Sequence, residues 1–240
     1  MGGSPDMAPL RLLVHVEGRT EMTFVKEVLG PHLLGHGYVS VDARLLGGAR
    51  RLDQRGGIRN WQSTSKEIVR HLQADRTLIV STMVDYYALP AAGPDAWPGR
   101  EHAAKLVKTS CERAEFVESA LLEDVIRRMG PSFEPRRFEP FIAMHEYEGL
   151  LFSDCHALAT CLGHADLTLE LSVIRSLFPT PEDINDSPET APSKRIERLV
   201  PRYDKPVLGI LAFLDIGLPK VRAECPHFNR WIQRLESRVA

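Results

Sequence analysis

Hydrophobic and polar positions fall into blocks that read as strands followed by helices. Residues 10–16 (LRLLVHV) are a mostly apolar run rich in strand-favouring side chains, and helical spacing starts near Thr20, directly after Glu17 and Gly18. This block predicts a strand, a tight turn and a helix. Thr20 is placed to cap that helix, and Glu21 lies in its first turn, where the macrodipole favours a carboxylate. Phe24, Val25, Val28 and Leu29 supply the apolar face, and Gly30 with Pro31 ends or kinks the helix.

Residues 38–46 alternate as a second strand, and residues 65–73 fit a helix with Ile68, Val69 and Leu72 on one side. Residues 77–84 (TLIVSTMV) have the character of a strand buried on both faces, ending on Asp85. After a Pro/Gly-rich loop at 90–99, residues 114–129 predict an amphipathic helix whose apolar face is Phe116, Val117, Ala120, Leu121 and Val125. A short strand at 141–144 (FIAM), bounded by Pro140, runs into His145, Glu146, Tyr147 and Glu148. Past about Asp154 the alternation fades into prolines and short apolar clusters; residues 207–214 (VLGILAFL) read equally as buried helix or strand.

The pattern predicts an α/β domain over residues 8–153, with a mostly parallel sheet flanked by helices. A helical C-terminal extension over 154–240 packs on the same domain, and residues 1–7 read as a tag remnant or a disordered start.

Composition narrows the function classes. With 43% hydrophobic and 26% charged residues in 240, the chain can bury a sizeable core, and its formal net charge of -2 makes any polyanion contact local. Basic character gathers in the glycine-rich segment 47–59, where Arg50, Arg51, Arg55 and Arg59, with Arg44 before them, are either phosphate contacts for a nucleic acid or a solvated loop. No segment reaches the roughly 18 apolar residues of a bilayer span, and no basic start precedes an apolar core, so a cytoplasmic protein is expected. Cys111, Cys155, Cys161 and Cys225 form no CxxC pair and read as reduced thiols.

Candidate chemistry sits where strands end, because ligands of open parallel sheets bind beyond the carboxyl ends of the strands. Glu17 follows the first strand, Asp85 the central one, and Glu146 with Glu148 a later one, while Glu21 lies one helical turn beyond Glu17. Clustered carboxylates are what Mg2+ or Mn2+ requires. The plain alternative for each acid is a solvated loop charge or a helix-start charge. Gly18 fits a turn that brings backbone close to a phosphate or metal, or merely permits the bend. Ser193, Lys194 and Arg195 open a helix after Pro192, with amides and a lysine suited to a phosphate. No P-loop, dinucleotide fingerprint or GxSxG elbow occurs, and Gly149 replaces the second histidine of an HExxH motif.

VEGRTE at 16–21 together with VDYYALP at 84–90 resembles the Toprim fold of topoisomerases, primases and OLD-family nucleases. With FIAMHEYEGLLF at 141–152, APSKRI at 191–196 and CPHFNRWIQRLE at 225–236, the chain looks closest to a bacterial Toprim-like family of unknown function, domain-of-unknown-function family 4276. The resemblance implies a Toprim-like, Rossmann-like fold. It also implies that Glu17 assists proton transfer or metal binding and that Asp85 holds the metal. Tyr87 stands where the second aspartate of the usual DxD pair belongs, so Glu148, Glu146 and Glu21 become the replacement ligands. Lys194 and Lys205 are candidate electrostatic stabilisers or ordinary surface charges.

The function expected from these readings is a Mg2+- or Mn2+-dependent nuclease in an ATPase-associated defence system. Its expected partners are nucleic acid, an ATPase protein and, in a homo-oligomer, further copies of the chain. The alternative is a catalytically silent Toprim-like module that binds an ATPase or a nucleic acid. A phosphotransferase or phosphatase would need a phosphate-cradling loop that the sequence lacks.

Overall fold

The computed structural model of the chain describes residues 9–46, 60–106, 109–185 and 189–238. Strands β1 (Arg11–Val16), β2 (Ser40–Leu45), β3 (Leu78–Asp85), β4 (Phe138–Glu139) and β5 (Ile142–Ala143) form one parallel sheet. Its order is β2-β1-β3-β4, with β5 also paired to β3. The expected mostly parallel α/β architecture is the observed one.

β4 and β5 pair with β3 in a single register, Val80 opposite Phe138 and Val84 opposite Ile142. They are one strand interrupted at Pro140, which has no N–H to give to a ladder. Thr82 covers the gap: its hydroxyl accepts from the Phe141 N–H at 3.0 Å and donates to the Phe141 carbonyl at 3.1 Å. The strand expected at 141–144 is therefore only Ile142–Ala143, with a piece before the proline that the pattern did not announce.

The first helix differs in two ways from the one expected. α1 (Arg19–Phe24) has Gly18 as its N-cap, with no side-chain cap. Thr20 lies inside the helix and is buried. Nor do Gly30 and Pro31 end the helix: a π-helical turn, Val25–Leu29, carries it into α2 (Gly30–Leu34). The Gly30 N–H bonds to the Val25 carbonyl, and this wider turn lets Pro31 enter without the carbonyl clash it would cause in an α-helix.

Successive β3 residues face opposite cores, Ile79 and Met83 one, Val80 and Val84 the other. The Val80 side is covered by α3 (Trp61–Ala74), α4 (Arg100–Leu106) and α5 (Ser110–Met129). α3 starts at Asn60, whose side chain accepts from the Ser63 N–H at 2.8 Å, and α5 starts at a Thr109–Glu112 capping box. Both begin before the periodicity suggests, α5 because its first turn is polar and α3 because Trp61 stands apart from the apolar positions that follow. Phe116, expected on the apolar face of α5, is 40% exposed.

The Ile79 side is covered by α1 and by short helices from the C-terminal half: α6 (Tyr147–Leu151), α7 (Cys155–Cys161), α8 (Thr168–Ser176), α9 (Pro192–Leu199), α10 (Lys205–Ile216), α11 (Leu218–Glu224) and α12 (Pro226–Glu236). Residues 207–214 resolve as helix, inside α10. α12 reaches the middle of the sheet. Trp231 Nε1 donates to Ser81 Oγ at 3.0 Å, and its ring stacks on Phe141 at 4.5 Å. The C-terminal helices share one core with β1 and β3. The four cysteines are free thiols, with Cys225 buried. Among the described residues, no helix is long and apolar enough to cross a membrane.

Candidate active site at the strand ends

β1 and β3 are adjacent and parallel, with Val16 opposite Met83, so Glu17 and Asp85 leave the sheet at the same edge. The Asp85 N–H donates to Glu17 Oε2 at 3.3 Å. Glu21 folds back over the turn, its carboxylate accepting from its own N–H and from that of Gly18. That path needs the glycine for space: a Cβ on Gly18 would lie 2.8 Å from Glu21 Oε2, and the Gly18 φ of -135° is open to any residue.

β5 delivers the next two acids. Its position is fixed by Glu118 of α5, whose Oε1 accepts from the Ile142 N–H at 2.9 Å and lies 2.9 Å from His227 Nε2 of α12. Beyond β5, Glu146 Oε2 accepts from the Ser193 N–H at 2.9 Å. The amide at the start of α9, read from the sequence as a phosphate donor, is thus occupied by Glu146. Glu148 is fully buried in α6; its Oε2 lies 2.7 Å from Lys205 Nζ, and the Tyr203 hydroxyl is 3.5 Å from its Oε1.

These groups form one electrostatic unit. Burial, with Glu21 and Glu146 nearby, pushes the Glu17 carboxyl up to about 7 against the opposing pull of the Asp85 amide and Lys205. Asp85 is raised well above the usual carboxylate range by burial and then by Glu17 and Glu21. Glu21 is also raised, mainly by burial. Glu148 is pushed by burial up to about 7 despite its lysine partner. For Lys205, burial acts to lower the pKa, but Glu148, Glu146 and Asp85 outweigh it and the ammonium is held above its ordinary value. Five acids thus face one cation, an arrangement that stores unfavourable charge and suits a site more than a scaffold.

Of the residues singled out in the sequence, Glu17, Glu21, Asp85, Glu146, Glu148 and Lys205 come together. Lys194 does not: its Nζ pairs with Glu197 at 2.6 Å on the exposed side of α9. Arg50, Arg51, Arg55 and Arg59 lie outside the described residues, and Arg44 pairs with Glu67 at 2.5 Å. Tyr203 has no sequence signal, and Tyr87 is marked only as the residue in the second DxD position. Tyr203 reaches Glu148 through the packing of α10, and Tyr87 stacks on His145 beside Asp85 and Glu146.

The donor set is all carboxylate oxygen, which fits a hard divalent cation. Yet no three of these acids bring ligand oxygens within 4.8 Å of one another. The cluster is looser than an all-protein cage and matches the Mg2+ habit of taking one or two carboxylates, with water and phosphate oxygens completing the shell.

No curated protein and no solved structure matches the chain. The family profile of a domain of unknown function, DUF4276, matches residues 16–236, from the last residue of β1 through every gathered acid and the C-terminal helices. The chain therefore belongs to the DUF4276 family.

Proposed function

We propose that the protein is a Mg2+- or Mn2+-dependent phosphodiesterase acting on nucleic acid, a Toprim-like nuclease. The observation that carries this reading is the convergence of Glu17 and Asp85 at the ends of adjacent parallel strands, with the Asp85 amide on the Glu17 carboxylate and Lys205 as the cation acting on both.

In this reading Asp85 would hold the ion, with Glu21 and Glu146 completing the acidic shell. A bound ion supplies neutralisation of the scissile phosphate and a water acidic enough to attack near neutral pH. The chain does the rest. Glu17, oriented by the Asp85 amide, would serve as the base that takes a proton from an attacking water. Lys205, steered by Glu148, presents an ammonium to charge developing on the leaving oxygen. Glu148 serves as the partner that positions Lys205 more than as a ligand. The ATPase partner and the defence role belong to the same proposal and rest on the resemblance to OLD-family proteins.

A second reading, a catalytically silent module, draws on Tyr87: an exposed tyrosine occupies the place of the second DxD aspartate. Purified protein incubated with plasmid and single-stranded DNA in Mg2+ or Mn2+ separates the two. The nuclease reading expects cleavage that Glu17→Ala and Asp85→Ala each abolish. Cleavage that survives both substitutions overturns the site. No cleavage with either ion, together with no calorimetric binding of Mg2+ or Mn2+, favours the silent module.

A further inference from the structure

A second cluster of ligand-type side chains lies where the start of the chain meets its end. His32 belongs to α2 and His36 follows one turn later, with ring centroids 4.4 Å apart. Glu236, the last residue of α12, meets both: its Oε1 is 2.6 Å from His32 Nε2 and 3.7 Å from His36 Nε2. Among the described residues, these three are the only His, Cys, Asp or Glu set whose ligand atoms all lie within 4.8 Å of one another.

The hydrogen bonding of His36 carries the argument. Its Nδ1 lies 2.9 Å from the His32 carbonyl oxygen. A carbonyl only accepts, so the geometry assigns the ring proton to Nδ1. In the neutral ring Nε2 is then a bare lone pair, and it faces a carboxylate oxygen, which is also an acceptor. Two acceptors facing each other at 3.7 Å can be bridged by a cation. A backbone carbonyl on the far nitrogen is also how metal-ligating imidazoles are oriented.

The carboxylate is oriented too. Arg222 bonds both Glu236 oxygens, with Nη2 3.1 Å from Oε2, and its own Nε donates to Asn229 Oδ1 at 2.7 Å. This guanidinium holds Glu236 in place from one side. Its charge also lies 3.5 Å from His32 Nε2, which weakens the attraction for a cation and argues for modest affinity. Two imidazoles and one carboxylate form a three-ligand set with an open position, suited to a borderline ion and poorly suited to Mg2+.

We propose that His32, His36 and Glu236 bind a divalent transition-metal ion of the Zn2+ class, at a surface site separate from the strand-end carboxylates. The ion clips α2 to α12, across 204 residues of sequence between His32 and Glu236. Binding displaces the His32 Nε2 proton.

The test uses the full chain without an affinity tag, stripped with chelator and titrated with ZnCl2 at pH 7.5 by calorimetry, with thermal unfolding in parallel. The proposal expects a Tm rise of about 5–10 °C at a hundredfold excess over Kd. His36→Ala, at an exposed position, removes one equivalent of Zn2+ and the Tm rise while changing the metal-free Tm little. Asp85→Asn leaves that equivalent in place. The proposal is overturned if wild type binds no Zn2+, if His36→Ala keeps the same stoichiometry and Tm rise, or if Asp85→Asn removes the equivalent instead.

Discussion

The ring of Tyr87 stacks on that of His145, with centroids 5.3 Å apart and planes 10° from parallel. Tyr87 follows Asp85 by two residues and His145 immediately precedes Glu146, so the stack stands beside the carboxylates. Tyr87 is 54% exposed, while Tyr86 beneath it is buried with the Arg100 guanidinium 3.7 Å from its ring centre. A ring this exposed, held by a stacked partner, is what a nucleic-acid base stacks on. Under the proposed function, Tyr87→Ala weakens binding of a single-stranded oligonucleotide by about 1–3 kcal/mol. Fluorescence anisotropy at fixed salt, in an Asp85→Asn background that prevents cleavage, measures this. Equal affinities would remove the stacking role.

The acidic cluster costs stability, and the sign of its pH dependence follows from Glu17. Its folded carboxyl is pushed up to about 7, above the ordinary 4.5. Between those values the native state binds more protons than the unfolded chain, so the Glu17 contribution falls as pH rises through this window. Above it the penalty is complete. Glu17→Gln removes the titration. In chelator, the variant is more stable than wild type at pH 8 by about 3 kcal/mol, and the gain shrinks towards zero below pH 4.5. Urea denaturation across this range reads the difference, and parallel stability profiles would contradict it.

Lys205 is the counterweight to Glu148. The pair is 2.7 Å apart, with Glu148 fully buried. Lys205 is held above its ordinary value, so its stabilising contribution is present at and below neutral pH and is lost only in strong base. Lys205→Met leaves a buried carboxylate without its cation, which costs about 3 kcal/mol when it is forced to ionise. Because Glu148 already titrates near 7, the variant escapes much of that cost by protonation at pH 5. The expected result is a larger destabilisation at pH 8 than at pH 5 in chemical denaturation. An equal loss at both values would mean that packing of the lysine stem, and not its charge, is what matters.

The two best sequence signals, the apolar runs ending on Glu17 and Asp85, gave both the strands and the central acids, because a strand buried on both faces declares itself in composition. Glu21 was legible through helical spacing. What escaped was set by tertiary packing. Lys194 and Lys205 each open a helix beside a proline and look alike in sequence, yet one faces solvent and pairs with Glu197 while the other faces Glu148. The C-terminal helices read as an extension packed on the domain, since each is short. Their role emerges only in contacts such as Trp231 to Ser81, between residues 150 apart. The site at His32 and His36 had a visible four-residue spacing, but its third member, Glu236, is contributed by the far end of the fold.

Thr82 is the residue on which the β5 end of the site depends. Pro140 breaks the strand, and the Thr82 hydroxyl is what satisfies the buried Phe141 N–H, at 3.0 Å. Valine has nearly the same shape but no hydroxyl, so Thr82→Val leaves that N–H without its acceptor and the Phe141 carbonyl without its donor. An unsatisfied buried polar group costs about 1–3 kcal/mol, and strand residues opposite a proline have no ladder bond to compensate. The consequence extends beyond stability. Ile142 and Ala143 lead directly to Glu146 and Glu148, so loosening Phe141 loosens those acids while leaving Glu17, just after β1, and Asp85, the last residue of β3, in place. The expected result is a fall in unfolding free energy of that size, together with faster hydrogen exchange at residues 141–148 and unchanged exchange in β1. Uniform acceleration across the sheet would show that Thr82 supports the whole fold and not this edge.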